Sequence, residues 1–315
     1  MVGRSVKARG AWNLGLSLRA RLFAKLTHVL GARREDLGRI PGALRLYRAC
    51  SRALRPDGIV AVRLQDFTLY VDATDQVIAS ELLAYGRYEA AETAVFRRLL
   101  RPGMVVVDVG AHVGYFALTS ASPVGPGGAV YAFEPDPHNF ALLTANVDVN
   151  RATNVVCVPK AVSSRSGRAT LFQDRSNHGA HTLAEANIET RLGGRTDVDT
   201  VSLDEYFGGL GDGRVSLIKL DTQGAEGLVI EGARGLLERH GPTLLMEFWP
   251  AGLRRMETDP EALLATLLGH GYSIRIVEEG GDAMAAAPNA VVDLAERRRY
   301  VNLLLERPGA PAGRR

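Results

Sequence analysis

Apolar and polar positions along this chain repeat with two different periods. Val105-Val106-Val107-Asp108-Val109 is a β-branched run bounded by turn residues, the pattern of a strand buried on both faces. Comparable runs predict strands over 104–109, 129–134, 155–160, 215–221, 243–248, 272–277 and 299–306. Between them the period lengthens to that of a helix, over 114–120, 137–149, 224–238 and 260–270. This alternation predicts an α/β fold, a doubly wound and mostly parallel sheet with right-handed crossovers. Ahead of it, residues 59–72 alternate like a hairpin turning near Gln65-Asp66, and 75–100 read as one or two helices ending before Pro102-Gly103. Residues 12–31 and 42–54 show helical spacing with Arg and Lys between the apolar positions. A polar stretch, 174–198, interrupts the alternation between two β-like pieces, 168–173 and 199–202; its length suggests a lid, a binding loop or a disordered segment.

The expected division is therefore a basic amphipathic helical extension (1–57), a hairpin and helical lead-in (58–103), a main α/β domain (104–308) and a disordered tail (309–315). Charge sharpens the first boundary. Residues 1–55 hold 13 Lys and Arg against 2 Asp and Glu, a surplus of 11; the whole chain carries +3, which leaves −8 for the other 260 residues. A basic amphipathic arm either caps the core or touches an anionic membrane or a partner. It lacks the basic surface interleaved with aromatic residues that a nucleic-acid binder would show. Two distant cysteines, Cys50 and Cys157, form neither a disulfide framework nor a zinc site. No apolar run approaches the ~18 residues of a membrane span, and Arg19, Arg21 and Lys25 interrupt any leader-like core. A cytoplasmic location follows as the default, with peripheral membrane contact through the arm as an option.

The strand ending at Asp108 runs into Gly110-Ala111-His112-Val113-Gly114 and a helix start, a glycine-rich turn of the kind that meets a ligand at the carboxyl edge of a sheet. In the dinucleotide fingerprint the middle glycine lets a pyrophosphate approach the backbone; here that position is His112. A nucleoside ligand without a pyrophosphate fits better, and S-adenosylmethionine is the candidate. Asp108 is placed to accept from its ammonium group, and the backbone N–H groups of the turn to meet its carboxylate. The next strand, Ala129 to Phe133, leads into Glu134, about 26 residues on, where an acid takes both ribose hydroxyls. Pro135 then turns the chain. Ala161 and Val162, at the end of the third strand, border the adenine, or are simply buried. Asn146 reads as a C-terminal cap or an exposed helix residue.

These pieces, in this order, resemble the FkbM family of methyltransferases. The likeness runs from about Tyr85 to Leu305 and includes Gly86-Arg87-Tyr88-Glu89, Asp108-Val109-Gly110-Ala111-His112-Val113-Gly114, Phe133-Glu134-Pro135, Asn139 and Lys160-Ala161-Val162-Ser163. It continues with Ser202-Leu203-Asp204, Ile218-Lys219-Leu220-Asp221-Thr222-Gln223-Gly224-Ala225-Glu226 and Glu247-Phe248. The resemblance implies a class I methyltransferase fold, Rossmann-like, with helices on both faces of a seven-stranded sheet whose last strand, here 299–306, runs antiparallel. It also implies O-methylation, with acceptors on sugars or polyketides, and a Glu89 that folds over the methionine end of the cofactor unless it is a surface helix acid. His112 stands where the family commonly has Asn, and Gln223 where it commonly has Glu.

Methyl transfer to a hydroxyl needs in-line alignment, exclusion of water and a base. Asp221, at the carboxyl end of the fourth strand, is the first candidate. Glu226 is a second, although an acid there also favours a helix N-terminus. Glu247, after Leu244-Leu245-Met246, is expensive to bury unless it is paired. It is a candidate for orienting the acceptor or taking its proton. His178 and His181 lie in the polar stretch, and His181 is a candidate base. No compact ligand motif points to a metal. The expected function is an S-adenosylmethionine-dependent methyltransferase acting on a small-molecule or glycan hydroxyl. Two alternatives remain at this level: a nicotinamide-dependent reductase, and a docking protein whose methyltransferase core is inactive.

Overall fold

The computed structural model describes residues 17–31, 42–208, 214–278, 280 and 283–307. They form two compact units, one ending at Gly86 and the other starting at Arg87. The first holds helices α1 (Leu18–Gly31) and α2 (Ala43–Leu54), the hairpin β1 (Ile59–Arg63) and β2 (Thr68–Asp72), and helix α3 (Ile78–Tyr85). The hairpin pairs antiparallel from Ile59↔Asp72 to Arg63↔Thr68, as the alternation predicts. Arg55 ties this unit together: its guanidinium lies over Phe23 and donates to the carbonyls of Ala73 and Asp75. Residues 12–16 of the predicted first helix lie outside the described residues, as does the predicted tail from 309. No helix among the described residues is long and apolar enough to cross a membrane.

The second unit begins with α4 (Ala90–Leu99) and then alternates. Its large sheet contains β3 (Val105–Val109), β4 (Ala129–Phe133), β5 (Val155–Val158), β9 (Val215–Leu220), β10 (Thr243–Phe248), β11 (Ser273–Val277), β12 (Ala283–Ala285) and β13 (Val301–Glu306). Their order is β12-β11-β13-β10-β9-β3-β4-β5. Strands β5, β4, β3, β9 and β10 run parallel, and β13 enters antiparallel to both β10 and β11. This is the expected seven-stranded sheet with an antiparallel last strand, extended at one edge by the three-residue β12. The helices are α5 (Tyr115–Val124), α6 (Pro137–Val149), α7 (Leu203–Gly208), α8 (Glu226–Glu231), α9 (Arg234–His240), α10 (Pro250–Arg255), α11 (Pro260–Gly269) and α12 (Pro288–Arg298). Local chemistry explains several starts. Asp136 and Asp259 each cap a helix whose first residue is proline.

Four features differ from the sequence reading. The predicted helix 224–238 is two helices, because Gly232 passes so close to the Ser163 carbonyl that a Cβ would sit 2.2 Å from it. Asp204 then caps the second piece by accepting from the N–H groups of Gly235 and Leu236. The third strand stops at Val158, and Ala161–Val162 form β6 of a separate sheet. Most of the polar stretch past Arg191 is strand: β7 (Gly167–Asp174) pairs antiparallel with β8 (Leu192–Val201), and β6 joins β8 in parallel. Only 175–191 remains as a connection, held in two 3-10 turns. Helices α7, α10 and α12 carry no predicted counterpart; the first two are only six residues long, too short for periodicity to reveal.

Candidate active site

Parallel strands of an open α/β sheet place their following loops together at the carboxyl edge. Here the loops after β3, β4 and β9 meet there around a cavity. Phe133, Ala161, Val162, Leu171 and Leu183 give it apolar walls. Gly110, His112, Glu134, Pro135, His181 and Asp221 also line it, so most of the residues singled out for a ligand are brought to one place. The 175–191 connection, part of the stretch whose length suggested a lid or a binding loop, adds a wall with His178, Gly179, Thr182 and Leu183.

The glycine turn has a different role from the one expected. The N–H groups of Gly110 and Ala111 both donate to the Phe133 carbonyl (3.0 and 2.9 Å), His112 N–H donates to Glu134 Oε2 (2.8 Å), and Gly114 N–H donates to Ala111. The turn is thus stitched to the end of β4, and these amides are not the ones that meet a ligand carboxylate. Gly110 has φ +84, and a Cβ there would stand 1.9 Å from the Asp221 carbonyl oxygen. Gly114 (φ +91) does not line the cavity; it starts α5 against Leu143. Asn146 is neither exposed nor a cap by its side chain: it is fully buried and its Nδ2 donates to the Val113 carbonyl, bracing the turn from behind.

Glu134 is buried, with Oε1 accepting from Asp136 N–H and Oε2 from His112 N–H, both at 2.8 Å. The residue also lines the cavity. Burial outweighs these bonds and pushes its carboxyl up to about 8. Asp108 lies behind the cavity wall, 1% exposed, and its Oδ2 has no hydrogen-bond partner. Its carboxyl rises to about 6, chiefly from burial, with Lys219 opposing.

Lys219 is the residue that sequence reasoning passed over. It sits beside Asp108 in the β3–β9 ladder, is buried, and has its ammonium 4.4 Å from the Phe116 ring centroid. Its Nζ donates to Asp221 Oδ2 (3.1 Å) and stands 3.9 Å from Glu89. A lone lysine inside Val215–Leu220 is the available signal, because a buried ammonium requires counter-charges. Glu89 therefore faces this ion rather than the surface, and burial pushes its carboxyl up to about 8. It does not line the cavity.

Gln223 links the two leading acids. Its Nε2 donates to Asp221 Oδ1 (2.9 Å) and Glu247 Oε2 (2.8 Å). The two carboxyls have divergent chemistry. Burial opposes the charge of Asp221, yet Lys219 and Gln223 hold it below the usual carboxylate range. Burial and the neighbouring Asp221 raise Glu247 well above that range. The two carboxyls of the pair are thus pushed in opposite directions, a division typical of sites that move protons. Glu247 stands behind Asp221 rather than in the cavity wall.

Two catalytic candidates are corrected. Glu226 turns back on its own loop, accepting from Thr222 N–H and Oγ1 (2.9 and 3.0 Å) and from Gly224 N–H (3.1 Å) at 1% exposure. It is a brace for the Asp221 turn. His181 does line the cavity, but its Nδ1 accepts from Asp174 N–H (3.0 Å) and its Nε2 faces Asp136 Oδ2 at 3.9 Å. Burial pushes its pKa down to about 4, so it is a neutral, hydrogen-bonded wall. His112, at φ +51, is likewise pushed down to about 3 by burial.

Comparison with known proteins matches this geometry to a family. Residues 108–274, from the first acid of the site to β11, match the family model described as the methyltransferase FkbM domain. The chain is 32% identical over 203 residues to the 31-O-demethyl-FK506 methyltransferase FkbM of Streptomyces tacrolimicus, covering 56% of this chain and 75% of that one. It is 28% identical over 180 residues to methyltransferase sdnD of Sordaria araneosa, covering 47% of this chain and 68% of that one. Among solved structures, methyltransferase FkbM from Methylobacillus flagellatus KT aligns at 15% identity and TM-score 0.38. That alignment covers 72% of this chain and spans about half (52%) of the other. The model match covers the turn after β3, the Glu134 edge and the Asp221–Glu247 pair together, and the chain belongs to the FkbM family of methyltransferases.

Proposed function

We propose that this protein is an S-adenosylmethionine-dependent O-methyltransferase acting on a hydroxyl of a small molecule of the sugar or polyketide kind. The observation that carries the reading is the Asp221–Glu247 pair, joined through the Gln223 amide at the sheet edge, with Asp221 facing the cavity.

The residues present fit such a cofactor. Asp108 Oδ2 is an orphaned acceptor buried next to the site, and with Asp221 it offers negative charge to the cationic methionine end. Glu134, a carboxyl in the cavity wall, suits the ribose hydroxyls, and the apolar walls at Phe133, Ala161, Val162 and Leu183 suit the base. When bound, the cofactor supplies an electrophilic methyl on a sulfonium. The chain's own residues do the rest. Asp221 faces the cavity and accepts the acceptor hydroxyl's proton on a carboxylate oxygen. A low-lying carboxylate is adequate, because an alcohol oxygen becomes strongly acidic as it gains a methyl group. Lys219 and Gln223 keep Asp221 ionised and fixed in direction, which is the orientation term of catalysis. The wall from the 175–191 connection helps to exclude water.

Family membership removes the nicotinamide-dependent reductase. The inactive docking protein becomes an outcome of the test. Titration calorimetry is expected to show S-adenosylmethionine binding that weakens about tenfold or more in Asp108→Ala and Glu134→Ala. Transfer of a labelled methyl to a panel of sugar and polyketide hydroxyls should then fall by about 10²-fold or more in Asp221→Asn. No binding, or binding indifferent to Asp108, overturns the cofactor assignment. Binding without transfer to any of the panel favours a silent core.

A further inference from the structure

We propose that helix α1 docks this chain on an anionic lipid bilayer. The helix buries Ala20 and Phe23, each 1% exposed, against its own unit. Leu18, Leu22 and Val29 remain 73%, 45% and 52% exposed. At ~100° of rotation per residue these three lie within about 40° of one another, on the side away from Ala20 and Phe23. They form one aliphatic stripe rather than scattered exposed side chains. Arg21 and Lys25 border the stripe on one side and Arg19 on the other. Arg19 also pairs with Asp57 and the Ala53 carbonyl.

The helices beside the stripe carry basic residues, with Asp57 the acid that pairs with Arg19. Neither α1 nor α2 contains an Asp or Glu, and α2 adds the exposed Arg45 and Arg52 together with Leu46, 66% exposed. An aliphatic stripe with basic edges is complementary to a surface that is apolar below and anionic above, which is the headgroup–acyl boundary of an acidic membrane. The other polyanion and the other apolar partner fit less well. A nucleic-acid backbone would engage the arginines but leave the aliphatic stripe in water. A second copy would cover the stripe while placing like charges against each other across the interface. The membrane arm and the methyl-transfer site are independent: this inference rests on the first unit alone.

The test uses the full chain and sedimentation with vesicles. Vesicles of phosphatidylglycerol mixed with phosphatidylcholine should carry the protein down, pure phosphatidylcholine vesicles should not, and salt near ~0.5 M should release it. Leu18→Ser/Leu22→Ser/Val29→Ser and Arg21→Glu/Lys25→Glu should each lower the bound fraction about tenfold or more. Unchanged circular dichroism and melting would show that both still fold, as exposed positions allow. The proposal is overturned by equal sedimentation with both vesicle types, or by either variant binding like the native chain. It is also overturned by a dimer in sedimentation velocity that the serine variant dissolves. A duplex-DNA mobility shift that the glutamate variant abolishes and the serine variant keeps would equally overturn it.

Discussion

A Cβ added to Gly110 would stand 1.9 Å from the carbonyl oxygen of Asp221, so the turn after β3 and the turn after β9 touch backbone to backbone. That contact ties the cofactor edge of the site to its proton-accepting residue, and it makes a substitution at Gly110 a test of the whole edge. Gly110→Ala should destabilise the protein by about 3 kcal/mol or more, from the left-handed backbone at φ +84 plus displacement of β9's end. Gly114→Ala should cost less, because the atom in its way, Leu143 Cδ1 at 2.7 Å, is the tip of a side chain that can shift. Urea unfolding of the two variants checks the order; equal losses would refute the backbone contact as the cause.

Gln223 supplies a second prediction. Its amide satisfies two carboxyls at once, and its carbonyl oxygen accepts from Thr182 Oγ1 (3.0 Å) and Asn187 Nδ2 (2.9 Å), holding the 175–191 connection. Gln223→Glu keeps the backbone links and places a third acid between two others. The added charge raises its neighbours and the lost amide no longer lowers Asp221, so the variant's rate should need a higher pH than the native enzyme's to reach its maximum. Gln223→Met removes the bridge without adding charge and should lower kcat at every pH. Initial rates against pH, measured with an acceptor identified from the labelled-methyl panel, separate the two. Superimposable profiles would remove Gln223 from the machinery.

The buried Glu134 makes stability depend on pH. Its carboxyl is raised from the ordinary 4.5 to about 8 in the folded chain. Between those values the folded state holds more protons than the unfolded one. This contribution to stability is therefore complete below about 4.5 and is lost as pH rises through about 8. Melting temperature should decline over that window in the native protein and decline less in Glu134→Gln, which titrates at neither end. The same substitution removes an acceptor oxygen facing the cavity and should weaken S-adenosylmethionine binding. A native melting temperature that rises across the window would contradict the assignment.

The strands were readable because buried parallel strands need long apolar runs, and Val105–Val109, Val215–Leu220 and Thr243–Phe248 have little other interpretation. The hairpin followed from local alternation and the helices after Asp136 and Asp259 from their apolar spacing. The same reasoning misassigned several side chains. Asp221 read as the first candidate and Glu226 as a second one or a helix N-terminus acid; one faces the cavity and the other turns back on its own loop. His181 looked like a loop base, but the strand Gly167–Asp174 fixes its ring from one side and Asp136 faces it from the other.

By itself, then, the sequence determined the alternation of strands and helices, the glycine turn and the acids that end β3, β4, β9 and β10. Each of these is written in a few neighbouring residues, through periodicity, β-branching or an acid at a strand end. Tertiary structure alone decided the partners. Lys219 meets Asp221 and Glu89, Gln223 joins Asp221 to Glu247, and the amides of Gly110 and Ala111 go to Phe133 instead of a ligand. Asp221 meets Lys219 and Gln223 within its own strand end and turn, but Glu89, Glu247 and Phe133 come from other strands and loops. Which acid is charged depends on burial and on distances of about 3 Å across the sheet edge, and neither is carried by local sequence.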